Sequence, residues 1–192
     1  MASWVHIANL ALRKLGDDGI SALDQADSEG ARAVNDVHET VRDIVLRLHP
    51  WNCALERAIL APASPAPVWG FAYRYAFPTD PYCLRVWQLS PDHHARAPWK
   101  SLNREIHTDE GPALYVEYIK RVTDPEKFDA NLVESIAAKI AFTIAWRITN
   151  SRTAESKMKD WFDSTLPATK NTDAQEGTPD DVAESEFLES RL

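Results

Sequence analysis

The chain opens on a stripe. Trp4, Ile7, Ala8, Ala11, Leu12 and Leu15 recur at helical spacing, with Ser3 placed to cap the first turn and Gly16 to end the last. This predicts a helix over about 3–15, followed by a turn from Asp17 to Ser21. A second helix is expected over about 26–48, with Val34, Val37, Val41, Ile44, Val45 and Leu48 on its buried side and Pro50 forbidding its continuation. The helical period returns late in the chain. Val133, Ile136, Ala137, Ile140, Ala141, Ile144, Ala145 and Ile148 predict a helix over about 129–150, capped by Asp129. A last helix is expected over about 154–173, capped by Thr153, with Met158, Trp161, Phe162 and Leu166 inward and Pro167 kinking or ending it.

Between these pairs the texture changes. Prolines recur at 62, 65, 67, 78, 81, 91, 98 and 112, and the apolar runs shorten to Ala72–Phe77, Leu84–Leu89, Glu105–Thr108 and Leu114–Ile119. Such runs predict a small antiparallel β insertion over about 70–120. The expected fold is therefore mainly α: a bundle of about four helices with a small β insertion between the second and third, and an extended C-terminal tail. Residues 1–177 form the body and 178–192 the tail.

Charge sharpens that division. The 192 residues carry 29 acids and 21 bases, a net of −8, of which residues 173–192 hold seven acids and one base. A nearly neutral body with no basic run is a poor grip for nucleic acid, because phosphate neutralisation supplies most of that affinity. The two cysteines, Cys53 and Cys83, suit a reducing compartment. The longest uncharged stretch, between Arg57 and Arg74, is broken by prolines and does not read as a membrane span, and no stretch has the order of a signal peptide. These features read together as a soluble intracellular protein.

Candidate chemistry is sparse. The sequence holds no glycine-rich phosphate loop, no H-E-x-x-H, no G-x-S-x-G and no C-x-x-C. His93, His94 and His107 read as loop histidines rather than metal ligands, and Cys53 and Cys83 as buried thiols. Trp4, Trp146 and Trp161 fall on helical faces and read as core. No catalytic, cofactor-binding or metal residue is singled out, and no cofactor is expected. The tail is the segment that points to a partner. Thr178-Pro179-Asp180-Asp181 is a helix start, followed by Val182, Phe187, Leu188 and Leu192, which are too few to fold alone.

Taken in order, the local words resemble the head-to-tail connector (adaptor) proteins of tailed bacteriophages, the group of tail tubular protein A and podovirus portal adaptors. The words are Leu12-Arg13-Lys14-Leu15-Gly16, Ile20-Ser21-Ala22-Leu23, Val41-Arg42-Asp43, Pro50-Trp51-Asn52-Cys53-Ala54, Arg57-Ala58 and Leu60-Ala61. They continue through Tyr73-Arg74-Tyr75-Ala76-Phe77-Pro78-Thr79-Asp80, Cys83-Leu84-Arg85-Val86, Tyr118-Ile119, Arg121-Val122-Thr123-Asp124-Pro125 and Asp173-Ala174-Gln175-Glu176-Gly177. Together they span about residues 3–177; residues 178–192 match no family word.

The resemblance implies a structural virion protein without catalytic activity, made in the host cytoplasm and placed at the head–tail junction. It implies a homo-oligomeric ring, typically of about twelve copies, between the portal protein and the tail tube or nozzle. DNA would pass through the lumen without sequence-specific binding. Phe187, Leu188 and Leu192 are the expected portal-docking residues. An alternative is a tail-associated peptidoglycan hydrolase (muramidase-like) activity, and a third reading is a small helical DNA-binding regulator, which the charge balance disfavours.

Overall fold

The computed structural model describes residues 2–25, 27–89 and 98–176. It divides the chain into two compact units: Met1–Ala54 with Arg121–Glu176, and Leu55–Lys120.

The first unit is helical. Helix α1 (Trp4–Lys14) is capped by Ser3, whose hydroxyl accepts from the His6 N–H, and buries Ile7, Ala8, Ala11 and Leu12. The turn that follows is clamped by Asn9, whose side chain accepts from the Ile20 N–H (2.7 Å) and donates to the Ile20 carbonyl (3.0 Å). Helix α2 (Glu29–Arg47) begins at the Ser28 cap. Helix α3 (Ala130–Thr149) is capped by Asp129, ends on Asn150 in the left-handed conformation (φ 49°), and packs against α1, α2 and α4 (Arg152–Gln175). Its central position follows from composition: Ala137, Ala138, Ala141 and Ala145 are buried among Leu132, Ile136, Ile140 and Ile144. Alanines keep the surface shallow, so neighbouring helices approach closely.

Three helical expectations are corrected. Ile44 and Leu48 are 42% and 41% exposed; Val34, Val41 and Val45 are buried as expected, joined by Gly30, Ala31, Ala33 and Leu46. A 3.6-residue period fixes a stripe but not which of its flanks is pressed inward, and the small residues permit the closer approach. Helix α4 is capped by Ser151, which accepts from the Ala154 N–H, so Thr153 lies already inside it. Of the two alternatives for Pro167, a kink or an end, the end is overturned: the helix continues to Gln175. Proline leaves the carbonyl four residues back without its partner. The turn beyond is secured by Thr169, whose hydroxyl meets the Thr165 and Asn131 carbonyls and the Ser135 hydroxyl (2.8 Å).

The second unit overturns the expected fold class. Six strands form two antiparallel three-stranded sheets, so the protein is an α/β fold and not a mainly helical bundle with one small β insertion. The strands are β1 (Leu55–Leu60), β2 (Tyr73–Ala76), β3 (Cys83–Leu89), β4 (Trp99–Leu102), β5 (Glu105–Thr108) and β6 (Leu114–Lys120). One sheet has the order β1-β6-β3 and the other β2-β5-β4. Tyr75 and Ile106 from the second meet Cys83, Val86, Leu114, Val116 and Tyr118 from the first in a core of their own.

Strands β1 and β4 are the ones the sequence pattern hides. All four residues of β4 are exposed, so no alternation betrays it. Its hairpin to β5 turns through Asn103 and Arg104, both at positive φ (50° and 61°), the geometry of a two-residue hairpin turn. An arginine in that conformation is unusual. Here its guanidinium stacks over Tyr82 (4.3 Å) and donates to the Cys83 carbonyl (3.1 Å), while its own carbonyl accepts from the Phe77 N–H.

Candidate functional site

Polar contacts within the helical unit concentrate where α2 ends and α4 approaches its last turn. Trp51 is fully buried, and its Nε1–H donates to the Val45 carbonyl (3.1 Å), which also accepts from the Leu48 N–H at the end of α2. His49 packs edge-on against it, with ring centroids 4.7 Å apart. Asp173, buried on α4, then gathers the turn. Its carboxylate accepts from the His49 Nε2–H (3.0 Å) and from the Asn52 backbone N–H (3.1 Å), while its carbonyl accepts from Asn52 Nδ2 (2.9 Å). Residues more than a hundred positions apart are thereby fixed at the point where the chain leads into residues 177–192.

Burial holds the His49 imidazole below its ordinary pKa, with Lys170 acting in the same direction and the Asp173 carboxylate opposing both. The folded state therefore favours the neutral ring, and the unfolded chain binds the extra proton first. The stability this supplies is present above the unfolded value of about 6.5 and is lost as the pH falls towards the lower folded value. We expect the thermal midpoint to drop as the pH is taken below 6.5, and His49→Gln to flatten that part of the profile; an equally steep profile in His49→Gln would remove His49 as its source.

Two further ties join separate segments of the chain. Asp43 bridges Arg42 (2.8 Å) and Arg121 (2.6 Å). Arg147 spans Glu29 and Asp36, both at 2.6 Å. A groove of about 670 Å3 is lined by His6, Leu10, Lys14, Phe128, Glu134 and Trp161 among others. Lys14 lies over the Trp161 ring (4.8 Å), and the Trp161 Nε1–H points to Glu134 (3.4 Å). Among the described residues, no three histidine, cysteine or acidic side chains converge as a metal site, and no helix is long and apolar enough to cross a membrane.

The β unit displays apolar surface instead. Ile59 (64% exposed) on β1 faces Tyr115 (47%) on β6 as register partners, on the side of the sheet opposite its core. The next outward pair is Arg57 and Glu117, bonded at 2.7 Å. Trp87 (40%) on β3 lies beneath the Arg85 guanidinium, 5.4 Å from the ring centroid. In the loop after β1, Val68 and Trp69 are 98% and 84% exposed. Adjacent exposed apolar side chains, such as the Ile59–Tyr115 register pair, are one mark of an interaction surface.

The sequence-based candidates fare unevenly. Phe187, Leu188 and Leu192, and likewise His93 and His94, lie outside the described residues. His107 sits 3.4 Å from Glu105 across its own strand. Cys83 is buried and Cys53 half-buried. Trp146 is half exposed beneath Arg152, contrary to its expected place in the core, while Trp51 is fully buried. The exposed Ile59–Tyr115 pair escaped the sequence reading because β1 was not anticipated; with β1 placed, its alternation would have put Ile59 outward. No family model and no curated protein matches this chain.

Proposed function

We propose that this chain is a structural virion protein, an adaptor that assembles as a ring of about twelve copies between the phage portal protein and the tail tube or nozzle. The observation that carries the reading is the display of Ile59, Trp69, Trp87 and Tyr115 on the β unit. Fully burying a large apolar side chain is worth about 1.5–3 kcal/mol, of which a partner surface would recover the share that matches the exposed part of each residue. The ties in the helical unit support the same reading. Asp43 joins Val41-Arg42-Asp43 to Arg121-Val122-Thr123, and Asp173 joins the last connector-like word to Pro50-Trp51-Asn52. The words that carry the resemblance are thus mutually dependent in three dimensions.

Charge fits a conduit. A near-neutral body and an acidic C-terminus do not hold phosphates, so DNA in the lumen slides rather than binds. Residues 178–192, through Phe187, Leu188 and Leu192, supply the portal contact.

The test is assembly. Purified protein mixed with portal rings of the same phage is expected to add a second ring in electron micrographs. Deleting residues 178–192 should leave the helical circular dichroism intact and abolish that addition. Portals that stay bare with the intact chain, or are decorated equally by the truncated one, would refute the proposal or its docking segment respectively.

A further inference from the structure

The end of α4 is attached differently from the rest of the helix. Up to residue 166 it packs through apolar side chains: Phe162 is buried, and Met158, Trp161 and Leu166 are half-buried. From 168 to 176 the sequence reads Ala-Thr-Lys-Asn-Thr-Asp-Ala-Gln-Glu, and the buried residues are Thr169 (2% exposed) and Asp173 (6%), both polar. Pro167 divides the two parts. It has no N–H to give the Asp163 carbonyl, so the backbone ladder is interrupted where the apolar packing stops.

Beyond that break the helix is held by two polar fastenings one turn apart. Thr169 Oγ1 meets the Ser135 hydroxyl (2.8 Å) and lies 3.3 Å from the Asn131 carbonyl, both on α3. Asp173 accepts from His49 Nε2–H and the Asn52 backbone N–H on its carboxylate, and from Asn52 Nδ2 on its carbonyl. Each such bond contributes little net stability, because water replaces it once the partners separate. A segment with few buried apolar contacts sits at the low-stability end of a protein and opens ahead of the rest.

We propose that residues 168–176 form a hinged arm that swings out at Pro167 as one unit and releases the turn at residues 49–52 as it leaves. Asp173 is the link. The carboxylate that anchors the arm is also the acceptor that orders Asn52, so arm and turn open and close together. Residues 177–192 follow the arm directly, and a partner that draws on them is thereby felt at Asn52, 121 positions before Asp173. The opening is a property of the free chain and does not depend on the adaptor reading.

Hydrogen exchange of the full-length chain, read by mass spectrometry on short overlapping peptides, tests the arm. Corrected for intrinsic rates, residues 170–176 are expected to exchange about tenfold faster than 156–166 or more, with the change falling as a step at Pro167. The Asn52 amide should exchange at the rate of the arm. Asp173→Ala should speed 169–176 and Asn52 several-fold and leave 156–166 as they are. Pro167→Ala restores the missing N–H and should slow 169–176 several-fold, with Asn52 slowing in step although it lies far from the substitution in sequence. Protection that declines smoothly from 156 to 176 is end fraying and overturns the hinge. An Asp173→Ala effect spread evenly into 156–166 overturns the arm as a unit, and an Asn52 amide indifferent to Pro167→Ala overturns the coupling.

Discussion

Trp51→Ala is expected to destabilise the helical unit by about 3–5 kcal/mol, the range for removing a large aromatic from a closed core. The side chain is fully enclosed, and its loss opens a void between the end of α2 and the turn that follows. It also removes the indole bond to the Val45 carbonyl and the ring contact with His49. Against a typical total of about 5–15 kcal/mol, such a loss brings the unit close to unfolding. Trp51→Phe separates the two contributions: it keeps most of the volume and forfeits the N–H, for about 1–3 kcal/mol. Urea unfolding followed by far-ultraviolet circular dichroism checks both, and a Trp51→Ala midpoint near that of the wild type would show that the turn collapses around the void.

Asp173→Ala should produce the second largest effect. Two donors, the His49 Nε2–H and the Asn52 backbone N–H, lose their acceptor in a site where water has limited access, at about 1–3 kcal/mol for each group left unpaired. The bond from Asn52 Nδ2 to the backbone carbonyl of residue 173 does not need the carboxylate and should survive in part. Amide exchange at Asn52 should therefore accelerate more than exchange in the middle of α3. Unchanged protection at Asn52 would mean that the carboxylate is not what holds the turn. Asp173→Asn keeps an acceptor oxygen for Asn52 and is expected to fall between the two.

Helices were legible in the sequence because their periodicity survives burial. The stripes through Ile7, Leu12, Ile136 and Ile144 point inward, and Ser3 and Asp129 cap the helices they precede. The failures have local causes. Ile44 and Leu48 lie on the flank of a stripe, where period alone cannot separate the packed edge from the wet one. In β4 no residue is buried, and its hairpin turns on Asn103-Arg104 without the glycine that usually signals such a turn. With β1 also hidden, the β region read as a minor insertion, although it has two sheets and its own core. The polar turn was invisible for another reason. Trp51, Asn52 and Asp173 are ordinary residues whose meaning depends on a contact across more than a hundred positions, and no local pattern encodes that.

The pairing of β1 with β6 has a consequence for how this chain can change. These are the first and last strands of the β unit, and they are matched from Leu55 opposite Ile119 to Leu60 opposite Leu114. Where they meet the helical segments, entry and exit are therefore only about 5 Å apart. A module zipped at its own base leaves and rejoins the chain at neighbouring points, so a change of length in the loops of the β unit need not alter the separation of its two ends.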